Sequence, residues 1–246
     1  MLRGASLEIY PGEILGLVGQ SGSGKSTLAL AILRLLDHTG ARVSGRTLLL
    51  GRDLMLCNEP QLRNIRGRQV ALVPQSPVAA LNPALRIGTH FSEAWRAHSS
   101  EPWSSRKSHL AQLLSTAGLS DDEAFLKRYP SQVSVGQAQR VLIVMALLHS
   151  PPLLIADEPT SALDAVTQRE IVDLLCRLRS QRGLSMLFIS HDLLTVASLC
   201  DRIAILHTGE IVESGPVAEV IAAPAHPYTK LLIETLPRGF SRFSAA

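Results

Sequence analysis

The sequence predicts an α/β fold in which a mostly parallel sheet core carries an inserted α-helical subdomain. Three observations predict it. Short apolar, β-rich runs alternate with helical patterns, the arrangement that sets parallel strands beneath covering helices. A glycine-rich loop joins the first such run to a helical pattern. One long stretch, 83–150, holds several helical patterns and no convincing strand.

In chain order, Ile14–Val18 reads as a buried strand, followed by the glycine loop and a helix over about 25–36. Val70–Val73, Leu153–Asp157 and Ser185–Ser190 are further apolar runs of strand length bounded by turn formers. Residues 202–206 form another after a short helix, and Thr208-Gly209 has the composition of a hairpin turn feeding 210–213. Helical patterns lie at 88–98, 106–117, 121–128 and 137–149. The chain reads as one domain over 1–246, its core formed by 1–82 and 151–246 and its helical subdomain by 83–150. Residues 239–246 read as a frayed tail.

Composition removes several function classes. Apolar residues make up 46% of the 246, enough for a buried core. The 24 Lys and Arg against 21 Asp and Glu leave a formal charge of +3, too small and too dispersed for a nucleic-acid stripe, so no nucleic-acid partner is expected. The best candidate membrane span, 141–156, is broken by His149, Ser150, Pro151 and Pro152, whereas a span needs about 20 continuous apolar residues. Glu8, Pro11 and Glu13 occupy the place of a signal peptide's apolar run. A cytosolic chain is expected, with membrane contact made through a partner. Cys57, Cys176 and Cys200 lie far apart, without a C-x-x-C pair or histidines at ligand spacing, so reduced thiols are expected and neither a disulfide nor a structural metal.

Residues Gly19, Gln20, Ser21, Gly22, Ser23, Gly24, Lys25 and Ser26 fit G-x-x-x-x-G-K-[ST] between a strand and a helix, the context this phosphate-binding loop requires. Glycines let the backbone curl with its N–H groups inward, and the helix start adds positive potential. Lys25 reaches the β- and γ-phosphates, the Ser26 hydroxyl is a Mg²⁺ ligand, and Thr27 joins the phosphate-binding candidates; the expected ligands are ATP and Mg²⁺. Leu153–Asp157 then ends in two consecutive acids, Asp157 and Glu158. Successive strand residues point apart, but at a strand end both can approach one phosphate cluster. Asp157 is expected to hold Mg²⁺ through water and Glu158 to orient or deprotonate the attacking water.

Further segments follow in fixed order, and together they resemble the ABC ATPase family over essentially the whole chain: Gln75 after Pro74, Ser134-Val135-Gly136-Gln137, Ser161-Ala162-Leu163-Asp164, and His191 between Ser190 and Asp192. Each alone has a plainer reading: Gln75 as a loop residue, His191 as a structural histidine, Asp164 as the N-cap of the next helix. Taken as a set, the resemblance implies a P-loop NTPase (RecA-like) core of the ABC ATPase type. It implies that Gln75 contacts Mg²⁺ and the lytic water, and that His191 contacts the γ-phosphate. Ser134, Gly136 and Gln137 are implied to form a signature that closes on nucleotide held by a second cassette, and Asp164 to belong to the D-loop. Ser134 precedes a helix, so its hydroxyl and the Gly136 N–H form a further helix-start anion site.

The sequence departs from the family pattern twice. Val135 stands where the family has its first signature glycine, and a β-branched residue resists positive φ, so ordinary backbone geometry is expected there. Members also carry an upstream strand and an aromatic residue that stacks on adenine; Tyr10 lies too close to Gly12 to be that aromatic, and the expectation is that Met1 falls downstream of the real start. Gln75-Ser76-Pro77, Ala80-Leu81-Asn82-Pro83, His226-Pro227-Tyr228-Thr229 and Leu236-Pro237 resemble the dipeptide, oligopeptide and nickel importer branch. No cysteine follows Cys200, so the iron–sulfur cluster of many relatives is not expected. The resemblance implies two transmembrane permease subunits, a second ATPase (a heterodimer more than a homodimer), an indirect solute-binding protein, and a peripheral position on the cytoplasmic face of the inner or plasma membrane. The alternatives are a soluble ABC ATPase of a non-transport assembly, such as one serving phosphonate breakdown, and a regulatory cassette that binds ATP without turnover. The branch resemblance implies import of peptides or nickel, and the residues leave the choice of solute open.

Overall fold

A computed structural model describes residues 2–235 of the chain. Its strands are β1 (Ile14–Val18), β2 (Leu48–Leu49), β3 (Arg52–Asp53), β4 (Val70–Val73), β5 (Leu153–Asp157), β6 (Ser185–Ser190), β7 (Arg202–His207) and β8 (Glu210–Pro216). Its α-helices are α1 (Lys25–Ile32), α2 (Glu59–Ile65), α3 (Pro77–Ala80), α4 (Ile87–Arg96), α5 (Lys107–Thr116) and α6 (Glu123–Leu126). After these come α7 (Val135–Leu147), α8 (Ala165–Arg182), α9 (Leu193–Leu199), α10 (Val217–Ala222) and α11 (Pro227–Glu234). The chain divides into two compact units, Met1–Leu62 with Gly183–Ala246, and Arg63–Arg182.

In the first unit β1 is flanked in parallel by β6 and β7, and β7 turns back into antiparallel β8. Every β1 residue is buried, as expected for a strand covered on both faces. Gly16 allows close approach of α9: a Cβ there would lie 2.5 Å from Val196 Cγ1. The β7–β8 turn is Thr208-Gly209 with φ of 47° and 89°, the pair of left-handed residues that a two-residue hairpin of this hand needs. A second hairpin, β2–β3, turns through Leu50-Gly51; its two-residue strands are too short to leave a period in the sequence.

In the second unit β4 and β5 pair in parallel, Val70 with Leu153 through Val73 with Ala156. Helices α4, α5 and α7 bury Ile87, Phe91, Leu113, Leu114, Val141 and Ile143. Trp95 stacks on His149 (centroids 4.8 Å apart) and carries the Arg106 guanidinium 4.7 Å from its ring. Arg140 ties α7 to its surroundings, donating to the Ala117 carbonyl at 2.5 Å and pairing with Glu170 at 2.6 Å.

The fold is thus the expected α/β type with mostly parallel pairing. Four strands appear where the sequence places them, residue for residue. Helix α7 begins at Val135, two residues before the periodicity suggests, because Ser134 caps it. Among the described residues no helix is long and apolar enough to cross a membrane. Leu236-Pro237 and the tail at 239–246 lie outside the described residues.

Candidate active site

The phosphate loop leaves β1 and delivers α1. Gly22 and Gly24 hold φ of 81° and 107°, which only glycine adopts readily, and Gly24 is the N-cap of α1 with no side chain to offer its N–H groups. A Cβ at Gly19 would stand 2.2 Å from the Leu206 carbonyl oxygen, so close packing against β7 demands glycine there as well. The Lys25 ammonium, 5% exposed, donates to the Gly19 carbonyl at 2.8 Å and the Gln20 carbonyl at 3.2 Å. Ser23 is buried, and its hydroxyl has no partner among the described residues. Ser21, Ser26 and Thr27 are exposed. A cation gathered against carbonyls, an uncapped helix start and an orphaned buried hydroxyl suit a polyphosphate.

Asp157 closes β5 and is 8% exposed. Glu158 takes φ of +45°, a left-handed conformation that costs a side-chain-bearing residue roughly 1–2 kcal/mol. That turn breaks the strand alternation between the two acids. The Glu158 carboxylate accepts from Gln75 Nε2 at 3.0 Å, joining two site candidates 83 residues apart.

Ser134 and Gln137 form a reciprocal cap on α7: the Ser134 hydroxyl accepts from the Gln137 N–H, and the Gln137 carboxamide oxygen accepts from the Ser134 N–H, both at 3.1 Å. Val135 is the first helical residue and keeps negative φ, the ordinary geometry expected of it. Gly136 is needed for contact, since a Cβ would meet Thr167 Cγ2 at 2.5 Å. Asp164 precedes α8 and accepts from the Thr167 N–H at 3.0 Å, the Val166 N–H at 3.1 Å and the Thr167 hydroxyl at 2.8 Å. The Thr167 bonds, backbone first, hold the Asp164 carboxyl below the usual carboxylate range. His191 is exposed at the β6–α9 junction, next to Asp192, which caps α9 through the Leu194 N–H at 3.0 Å.

Sequence reasoning missed two contributors. Thr167 links Asp164 to Gly136 and carries no motif of its own. Tyr228 accepts from the Gln20 N–H at 2.9 Å within the phosphate loop; its motif was visible, but not its partner. The Ser134–Gln137 cap was findable, because Ser followed three residues later by Gln ahead of an apolar run is a helix-start pattern. Tyr10 packs under the Arg202 guanidinium at 5.2 Å and donates to Glu8 at 3.2 Å.

Comparison with known proteins agrees with this geometry. Residues 2–161 match the ABC transporter family, and residues 212–240 match the oligopeptide/dipeptide transporter C-terminal region. The dipeptide transport ATP-binding protein DppD of Haemophilus influenzae is 42% identical over 94% of this chain and 70% of its own length. The peptidoglycan transport ATP-binding protein YejF of Agrobacterium fabrum is 42% identical over 95% of this chain, which spans 43% of that longer protein. A dimeric structure of the ATP-binding cassette MJ0796, in a post-hydrolysis state bound to ADP and Pi, superposes with a TM-score of 0.74 at 28% identity, covering 88% of this chain and 90% of that one. A match of that extent decides the family: the chain belongs to the ATP-binding proteins of ABC transporters, and it is an ATPase.

Proposed function

We propose that this chain energises an importer of peptides, working as one of two cassettes beneath a pair of membrane permeases. The observation that carries this reading is the joining of an ABC transporter match over 2–161 to an oligopeptide/dipeptide transporter match over 212–240 in one chain. The dipeptide and peptidoglycan transport named for its relatives supports a peptide cargo. The chain then acts at the cytoplasmic face of the membrane, with a solute-binding protein as an indirect partner and a second, non-identical cassette as its mate. Residues 83–150 serve as the signature subdomain and dock the permeases, and 1–82 with 151–246 serve as the nucleotide core.

In this reading residues 19–26 wrap the phosphates. Lys25 exchanges its two loop carbonyls for phosphate oxygens, and Ser23 gains an acceptor for its buried hydroxyl. Ser26, Asp157 and Gln75 supply hydroxyl, carboxylate and carboxamide oxygens, hard donors suited to Mg²⁺. Among the described residues no cluster of three or more His, Cys, Asp or Glu could hold a metal, which fits an ion carried largely by phosphate and water. Held by these residues, Mg²⁺ would supply positive charge to neutralise that developing on the phosphates during transfer. Glu158 takes the proton of the attacking water, while the Gln75 carboxamide fixes the carboxylate's direction. The water oxygen bonds to the γ-phosphorus as the bond to the ADP oxygen breaks. His191 donates to the γ-phosphate, and Ser134, Gly136 and Gln137 of the companion cassette, with its Asp164, complete the far side.

Glu158→Gln keeps the shape of the side chain and removes the base. Turnover and uptake of a labelled dipeptide should fall by about 10²- to 10⁴-fold while ATP affinity holds. Uptake at the wild-type rate in cells carrying only this variant would remove Glu158 from the mechanism and separate transport from hydrolysis here.

A further inference from the structure

The C-terminal segment His226-Pro227-Tyr228-Thr229 carries a physical task within the unit that holds the phosphate loop. Glu213 on β8 accepts from the Ala225 N–H at 2.8 Å and the His226 N–H at 3.0 Å, anchoring the approach to α11. Partial burial pushes the Glu213 carboxyl up, but its hydrogen-bond donors outweigh that and hold it below the ordinary value, so it is ionised at neutral pH. His226 is the N-cap of α11, its Nδ1 accepting from the Tyr228 N–H at 3.1 Å, and Pro227 occupies the first helical position. Tyr228, 7% exposed, stacks on His207 at the end of β7, with centroids 3.9 Å apart and planes at 25°. Its hydroxyl then accepts from the Gln20 N–H, 208 residues earlier in the chain.

Gln20 is where this contact gains meaning. Its N–H goes to Tyr228 and its carbonyl receives the Lys25 ammonium. Gly19, immediately before it, is pressed against the Leu206 carbonyl. The entry limb of the loop is therefore clamped between the end of β7 and the hydroxyl of Tyr228, and one peptide unit transmits that clamp to the lysine.

We propose that Tyr228 is a positioning residue of the phosphate loop, through which the segment at 210–234 sets the loop's affinity for nucleotide. The proposal rests on residues 19–26 being the nucleotide site. Glu213 and His226 act by holding Tyr228 in place, and the match to the peptide-transporter C-terminal region, 212–240, begins one residue before Glu213.

Tyr228→Phe keeps the ring on His207 and removes only the acceptor of the Gln20 N–H. Titration of the full chain with mant-ATP in the absence of Mg²⁺ should give a dissociation constant about five- to tenfold higher, the worth of one hydrogen bond. KM for ATP should rise in parallel with kcat unchanged, and the Gln20 amide should exchange with deuterium faster in the nucleotide-free protein. Glu213→Gln, remote from the loop, should raise the dissociation constant roughly two- to threefold, as expected of a weaker neutral acceptor. The double variant should be no worse than Tyr228→Phe, because both changes act through one hydroxyl. An unchanged mant-ATP affinity for Tyr228→Phe, or additive effects in the double variant, would overturn the proposal. Lys25→Ala measured alongside tells the two failures apart: if it too binds mant-ATP normally, the nucleotide assignment of the loop falls, and if it alone loses binding, only the role of Tyr228 does.

Discussion

Helices α1 and α7 both begin at residues assigned to nucleotide, and they begin differently. Helix α1 starts from Gly24, in a left-handed conformation with no side-chain cap, while α7 starts from Ser134, extended and locked by the reciprocal bonds to Gln137. A helix start carries backbone N–H groups that want acceptors. At α1 the sequence supplies glycine and a buried lysine, and the N-cap residue offers no side-chain acceptor. At α7 it supplies the acceptor itself, so what remains for an anion is the Ser134 hydroxyl proton and the Gly136 N–H. On the proposed function, the first start serves a tightly held substrate, and the second, capped by its own side chains, serves a contact made and broken in every cycle.

Lys25→Ala tests the first half of this contrast and should have the largest effect on binding. Losing a charge-assisted contact with phosphate costs about 3 kcal/mol, roughly a hundredfold in affinity by fluorescent nucleotide titration. Ser134→Asp tests the second half. Aspartate caps a helix as well as serine does and suits the positive end of its dipole, so the melting temperature should hold. A carboxylate accepts without donating and repels the γ-phosphate, so ATPase turnover should drop by roughly thirtyfold, about 2 kcal/mol. Wild-type turnover in Ser134→Asp would mean that the hydroxyl proton has no part in closing the site, and the two helix starts would no longer differ in function.

Gly136→Ala probes what supports the α7 start. The new methyl falls 2.5 Å from Thr167 Cγ2, and such overpacking costs about 1–3 kcal/mol, read as a lower midpoint in urea. Thr167→Ser deletes that methyl while keeping the hydroxyl that donates to Asp164, so the double variant should recover most of the loss. If it does not, the glycine is required by the backbone itself and not by the neighbouring helix.

The legible parts of this molecule are those whose chemistry is local in sequence. Ile14–Val18 and Leu153–Asp157 declare themselves as apolar runs, and the loop at 19–26 combines motif and context within eight residues. The left-handed turn at Glu158 has no such signal, because its backbone geometry is imposed by surroundings rather than by residue type. Thr167 is one threonine among many until α8 is packed against Gly136. The Tyr228–Gln20 bond spans 208 residues, so its motif reads only as a branch marker until β7 and α11 bring the two ends together. The Ser134–Gln137 cap was within reach of the sequence, and the family resemblance drew attention to the same residues as ligands instead.

The smallest expected effect separates the two units by acidity. His98, His109 and His149 all belong to Arg63–Arg182, the unit that carries α7. Burial leads in lowering each pKa, aided at His98 by His149 and Arg68, at His109 by Arg182 and Arg106, and at His149 by Arg68 and Arg106. In the unfolded chain these side chains protonate near 6.5, whereas in the fold they take up protons only at lower pH. Between those values the unfolded state binds more protons, so stability falls as pH falls; above 6.5 both states are neutral and the contribution is complete. The carboxylates held low, Asp122, Glu123, Asp164 and Glu213, start from ordinary values of 3.8 for aspartate and 4.5 for glutamate and lose their contribution only in stronger acid. The thermal midpoint of the nucleotide-free protein, followed by circular dichroism, should therefore be flat from pH 8 to 7 and decline modestly from about 6.5 toward 5.5. His98→Gln should flatten part of that decline. A midpoint that rises over this interval would mean that the three rings gain partners on protonation, and the packing of His149 against Trp95 would then be held by charge rather than by burial.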